Sequence, residues 1–569
     1  MRNLYCCLRY LVALFLLVHI PVVAQNLGSL KNQKALEIRG SLAANVQFYQ
    51  ANGINNRRQP FTWYLTGTPV VKWFGMTFPF TLVVSEQERR FSQPFNQYGV
   101  SPYYKSLKLH LGYRNVRFSD YTLGGANFLG AGVEYTPKNI RLGFVYGQFA
   151  RPINEDATGQ DVRYQYIRPV YQRIGWAAKV GIGSPKSYVD VSVFKAKDII
   201  SSITAPSPQS RVLPMENLAV GLKNHFGFFK QKLTFDLDVG ASLITRNSLK
   251  RDIENPEPWQ NKLLDIVAVN ASSNFFTAGT AAMGWRFKKG AIRAIYQRVD
   301  PDYQSLGAYY FQNDVEQITI SPTFMLFKNK VIINGSMGRS HDNLKGNKGA
   351  TTHRNVSSVN LSMSPIKRLT VGLNYSNFGV GQSRGLGDFF NDSLAVSVVN
   401  SSYNATINYS LGSKISQQAF GITATYQNTN DQNAFTRQYT GASSMIGVVT
   451  YNFTHIPRKL SSTVALSYVS IETAGKSLLN IGPNVGLSKE LPKLKVKVGV
   501  NHNSQLRKVD GLDDGIMTNT GLTIFYPLNK QSISVGGNYL YNRYKVQQDA
   551  LVYRNFSELR ATLSYGIRF

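Results

Sequence analysis

The stretch ELRATLSYGIRF, residues 558–569, decides the fold. Leu559, Ala561, Leu563, Tyr565, Ile567 and Phe569 are apolar, while Arg560, Thr562, Ser564, Gly566 and Arg568 between them are charged, hydroxylic or glycine. Successive side chains of a strand point to opposite faces, so this alternation specifies a strand with one apolar and one polar face. The same pattern recurs upstream. Leu494, Val496, Val498 and Val500 alternate with Lys495, Lys497 and Gly499, and Leu233, Phe235, Leu237 and Val239 alternate with Thr234, Asp236, Asp238 and Gly240. Leu107, Leu109, Leu111 and Tyr113 alternate with Lys108, His110, Gly112 and Arg114. A slip of one residue would carry those lysines and aspartates to the apolar face, so the register is strongly specified.

Between such runs, from residue 130 onward, short segments rich in Lys, Pro and Asn recur. They are Pro137–Asn139, Ser184–Lys186, Gly227–Gln231, Lys288–Gly290, Lys328–Lys330, Pro365–Arg368, Leu411–Lys414, His455–Lys459, Lys489–Lys493 and Pro527–Lys530. Gly, Asn and Pro supply the backbone angles of tight turns. Each turn is flanked by strand-like segments that run into longer polar stretches, the layout of a transmembrane antiparallel β-barrel with short periplasmic turns and longer extracellular loops. A propeller would need four short strands per unit instead of two long ones. Ten turns imply twenty strands, and residues 556–569 add one. Strands near 36–50, 61–74, 76–86, 104–112 and 115–122 bring the expectation to about 26, in a range of 22–26.

The two ends and the composition agree with that fold class. Arg2 and Arg9, the apolar run Leu11–Ile20 and the small residues Val22 and Ala24 predict a signal peptide over 1–24, leaving residues 25–569 as one barrel. The run is too short to span a bilayer as a helix. Cys6 and Cys7, the only cysteines, lie within this leader. Hydropathy averages slightly below zero, as expected where lipid-facing and lumen-facing residues alternate. The formal charge of +31 invites a nucleic-acid partner, but the basic residues are spread along the whole chain and form no stripe or tail, so none is expected.

The segment PFNQYGVSPYYKSLKLHLGYRN, residues 94–115, the segment NFLGAGVEY, residues 127–135, and the final SYGIRF resemble a large outer-membrane barrel family of Bacteroidota. The last strand, with Leu563, Tyr565, Ile567 and Phe569, resembles the C-terminal assembly signal of bacterial outer-membrane barrels. These resemblances imply a Gram-negative cell outer membrane as the location. They also imply contact with membrane lipids and lipopolysaccharide, and insertion by the barrel-assembly machinery. No chemistry is assigned to that family. A plug domain of the TonB-dependent kind finds no room between Gln25 and the first strand.

Enzyme chemistry is not expected. Six histidines remain after the leader (His110, His225, His341, His353, His455 and His502), and none lies in a hydrolase motif or at metal-ligand spacing. Ser340-His341-Asp342 are adjacent in sequence, which rarely makes a triad. Gly181-Ile182-Gly183 reads as strand glycine, and no cofactor is implied. The remaining signal is basic: Lys108, Arg114, Arg141, Arg293, Lys495, Lys497, Arg560 and Arg568 are expected to face the lumen, where cationic rings favour anions. Barrels beyond about 18 strands are usually plugged, so loops are expected to narrow the lumen, with Asn247–Phe275, Arg151–Ile174 and Gly379–Val399 as candidates. Two functions follow: a porin-like or solute-transport channel, or a structural or assembly component that holds a periplasmic or surface protein partner.

Overall fold

The computed structural model describes residues 36–86, 96–156, 167–250, 267–308, 312–386, 391–544 and 555–569; the expected signal peptide lies outside them. The chain forms a closed antiparallel β-barrel of 26 strands. Hydrogen-bonded segments outnumber strands because three strands are interrupted. Leu36–Arg39 and Ser41–Asn52 are one strand broken at Gly40, Phe61–Gly67 and Val70–Trp73 are a second, and Gln97–Val100 and Tyr103–Tyr104 are a third. Gly40 has φ of +114°, and a Cβ there would lie 2.4 Å from the Thr68 carbonyl oxygen, so the break needs glycine.

Every later strand pairs with its sequence neighbours. The barrel closes where Ser41–Asn52 pairs with Phe556–Arg568, from Ser41 opposite Arg568 to Asn52 opposite Ser557. The opening alternation is therefore the seam strand, hydrogen-bonded on both sides. Leu559, Leu563 and Tyr565 are exposed on one face. Outward Val191, Val220, Val449, Leu466 and Leu522 are likewise exposed, which suits an apolar medium outside. Among the described residues no helix is long and apolar enough to cross a membrane.

Connections alternate between two rims. All ten tight turns expected from sequence occur on one, joined by Phe74–Gly75 and Lys105–Ser106, and the longer connections stand on the other, together with the two-residue turns Ala474–Gly475 and Asp510–Gly511. Two details differ. Strands near 104–112 and 115–122 were expected; the strands are Gln97–Tyr104 and Leu107–Arg117, and residues 118–123 leave the wall. The turn expected over 489–493 lies at 492–495. Leu494 and Lys495 therefore belong to that turn, Lys495 with φ of +54°, and the strand begins at Val496. The preceding strand ends at Leu491 and Pro492, which cannot donate to a ladder, opens the turn, while Val496, Val498 and Val500 keep their expected alternation.

The two faces make a direct test. Leu563→Arg places a charge in the outward belt and is expected to cost about 2–4 kcal/mol in urea unfolding from lipid vesicles, the range for a mid-bilayer Arg. Thr562→Arg, one residue away on the inner face, should cost less than about 1 kcal/mol.

Candidate functional site: the barrel interior

A closed barrel has only two faces, so segments packed on the face opposite the exposed apolar belt lie in the lumen. Two connections do so, residues 118–123 and 300–308. Ser119 Oγ donates to Asp238 at 2.5 Å and the Asp120 amide to the same carboxylate at 3.0 Å. Thr122 and Ser192 hydroxyls are 2.9 Å apart, and the Tyr121 and Thr280 hydroxyls 2.6 Å. The second segment lies on the first. Tyr303 OH and Ser305 Oγ donate to the carbonyls of Tyr121 and Thr122, and the Leu306 amide donates to Asn217 Oδ1 at 3.0 Å. The Gly124 amide reaches the Gly307 carbonyl at 3.0 Å.

Apolar side chains seal the contact. Leu123, Phe128, Phe194, Ile244 and Tyr303 are at most 1% exposed, and Phe149 meets Phe194 edge-on with ring centroids 5.3 Å apart. A water-filled lumen restores the hydrophobic effect that lipid cancels on the outer face. Each such side chain thus contributes about 1.5–3 kcal/mol on leaving water. The wall beneath is flattened to admit the segments. A Cβ on Gly240 would lie 2.5 Å from Tyr121 Cβ, and one on Gly221 would lie 2.8 Å from Thr122 Cγ2.

Around this cover the inner wall is charged and paired. Arg141 holds Asp190 through two bonds of 2.7 and 2.9 Å, and its guanidinium lies 4.0 Å from the centre of the Tyr188 ring. Lys223 lies 3.2 Å from Asp238, and Arg293 and His225 share Asp236. Glu134 gathers His110 at 2.9 Å, Lys179 at 3.5 Å and Lys108 at 3.9 Å. Of the expected lumen-facing cations, Lys108, Arg141 and Arg293 thus stand on the inner face bound to carboxylates. Arg114 donates to Thr81 Oγ1 and Arg560 to Gln47 Oε1, each at 2.8 Å. Lys497 and Arg568 sit at strand ends near the tight-turn rim, and Lys495 is in a turn.

The opposite wall is different. Strands Ser397–Gly412, Ser416–Asp431, Ala442–His455 and Leu460–Thr473 contain no Lys or Arg, and their acids, Asp431 and Glu472, stand at the long-loop rim. Their inner face is a ladder of amides and hydroxyls. Asn374 donates to Asn404 at 3.3 Å, Asn404 to Thr425 at 2.8 Å, Thr429 to Asn400 at 2.6 Å and Thr463 to Asn452 at 2.7 Å. The inner wall therefore carries a covered, ion-paired arc and, across these four strands, an arc of uncharged polar groups.

Among the described residues, the segments that pack inside the wall are 118–123 and 300–308, which were not among the expected loops. In the described part of Asn247–Phe275 the Asn270 side chain donates to the Asn247 carbonyl, the Ser248 amide to the Pro214 carbonyl and the Ala268 amide to Glu216; its centre, 251–266, lies outside the described residues. Glu155, from Arg151–Ile174, binds the Ser207 amide and hydroxyl of the next connection. Much of Gly379–Val399 is strand. Nothing local marks 118–123 or 300–308, whose partners lie 70–183 residues away. The dense small residues opposite them, Gly221, Gly240 and Ala278, were the signal available. Asp342 accepts from the Thr352 amide at 2.6 Å, while Ser340 and His341 end the strand Val331–His341.

No family model matches the sequence, and no curated relative matches it. Solved structures give outer-membrane barrels. OccAB2 of Acinetobacter baumannii matches with a TM-score of 0.29 and 10% identity over 67% of this chain and 98% of that one. OprD of Pseudomonas aeruginosa matches with a TM-score of 0.30 and 10% identity over 70% and 94%. The translocation pore of the P pilus usher PapC matches with a TM-score of 0.36 and 9% identity over 94% and 100%. Likeness at this level carries no inference about what this chain does.

Two outcomes test the interior. Gly240→Leu should displace Tyr121 and cost about 1–3 kcal/mol, as overpacking does, with the Tyr121–Tyr303 pair becoming accessible to tyrosine-modifying reagents. At the long-loop rim, burial works to raise the carboxyl of Asp314, but Lys348 and the amides of Leu344 and Asn343 outweigh it and hold it below the ordinary range. A lowered value contributes stability above the unfolded value of about 3.9 and loses it as pH falls further. Hydrogen exchange of residues 343–348, corrected for intrinsic rates, should accelerate below about pH 4 and should already be fast in Asp314→Asn.

Proposed function

We propose that the protein is an outer-membrane, porin-like channel for small polar solutes, exported by a cleaved leader, with its tight turns in the periplasm and its long loops outside. The observation that carries this reading is the division of the inner wall. Two segments of the chain's own loops thicken one arc of the wall and leave a path beside a four-strand arc of uncharged amides and hydroxyls. Such groups exchange hydrogen bonds with a passing solute without holding it by charge, which is what conduction needs. Lipopolysaccharide would meet the outward ion pairs near the long-loop rim, such as Arg298–Glu316.

A second reading, a barrel that holds a protein partner, is favoured by size, since diameter grows with strand number and 26 strands exceed what most open channels use. Planar-bilayer recordings separate the two. A channel shows steady openings from the purified barrel alone. Preference for anions should be weak, because Lys108, Arg141 and Arg293 are neutralised by carboxylates. It should vanish in the triple variant Lys497→Gln, Arg560→Gln, Arg568→Gln, and rise in Asp236→Asn, which frees Arg293. A silent, correctly inserted barrel would overturn the channel reading, and a stoichiometric protein retained on gentle extraction would replace it with the second.

A further inference from the structure

The tight-turn rim is a cationic ring. Every turn on it except Phe74–Gly75 carries Lys or Arg, and none carries Asp or Glu. Lys288-Lys289 and Lys367-Arg368 are wholly basic, and Lys230, Lys328, Lys459 and Lys495 occupy left-handed positions that hold the side chain out from the turn. Among the described residues only Lys459 of these turn cations meets a carboxylate, that of Glu490. Carboxylates stand instead on connections of the other rim, as at Asp120, Asp300, Asp314, Asp342 and Asp392, and at Asp510 in a two-residue turn.

The cations are interleaved with exposed apolar side chains in the same turns. Phe229 beside Lys230 is 76% exposed, Phe327 beside Lys328 74%, Leu494 between Lys493 and Lys495 65%, and Ile415 beside Lys414 60%. An apolar group next to an ammonium fits a membrane interface, the first entering the acyl boundary and the second reaching a phosphate. We propose that this rim selects anionic phospholipid headgroups, gathering phosphatidylglycerol-like lipids around the barrel in the leaflet it faces. The distribution argues for a leaflet against a discrete protein. A single acidic partner would dock on one arc, whereas the basic turns run round the circumference from Lys105 to Lys530. The inference needs only the membrane-embedded barrel and stands whether or not the lumen conducts.

The test is lipid selection. The purified full-length protein is reconstituted into vesicles of equal phosphatidylethanolamine and phosphatidylglycerol and excised with a membrane-solubilising polymer that keeps the surrounding lipids, whose ratio is read by mass spectrometry. Wild type should hold the anionic lipid at about twofold or more above the bulk ratio, and the enrichment should fall as salt rises from about 0.05 to 0.5 M because exposed charges are screened. The variant Lys230→Gln, Lys232→Gln, Lys288→Gln, Lys289→Gln, Lys328→Gln, Lys330→Gln, with its fold checked by heat-modifiable migration, should return at least half-way to the bulk ratio. A wild type at the bulk ratio overturns the proposal, including one that instead retains an acidic protein. Enrichment unchanged in the folded variant also overturns it. Should the variant not fold, the salt series on wild type decides, and enrichment indifferent to salt overturns the proposal.

Discussion

Closure of the ladder between Ser41–Asn52 and Phe556–Arg568 is the constraint on which the rest depends. In hydrocarbon no water can satisfy a peptide group left unpaired at a sheet edge, and each such group costs several kcal/mol. The last strand must therefore serve as neighbour to the first, and the chain's two ends must meet on one rim. An even number of strands follows, because both ends sit at the tight-turn rim.

Closure also creates an interior with its own solvent, and the two faces of one sheet then obey different rules. Outward leucines and valines gain nothing by leaving the hydrocarbon, so they stay spread over the belt. Inward, water makes aggregation of Phe128, Phe149 and Phe194 favourable, and the chain folds residues 118–123 and 300–308 over them. Polar groups trapped beneath are met by partners. Asp238 receives Ser119, the Asp120 amide and Lys223. This part of the lumen thus resembles the core of a soluble protein built against a wall.

Strand class, strand number and nearly every tight turn were legible in the sequence, because alternation and turn chemistry are local and every hairpin repeats them. What failed was equally physical. The turn that Pro492 opens takes in Lys495, which alternation alone placed on the wall. A strand expected over 115–122 takes in residues 118–122, and only their contacts to Asp238, Thr280 and Ser192 show that they leave the sheet. Pairing of Arg141 with Asp190 and of Arg293 with Asp236 was likewise invisible, since the partners lie 49 and 57 residues apart. The cations could be assigned a face from sequence, but not their neutralisation.

That neutralisation changes what net charge means for this molecule. A chain of +31 suggests an electropositive pore. Yet the inner-wall cations of the covered arc are matched by Glu134, Asp190, Asp236 and Asp238, and the opposite wall has no cations across four consecutive strands. Much of the surplus resides on the tight turns, outside the lumen. Charge on a membrane barrel therefore has to be read by height and face, because its effect depends on which solvent it meets. Inside it would set ion preference, while on the rim it would act on the surface that the rim meets.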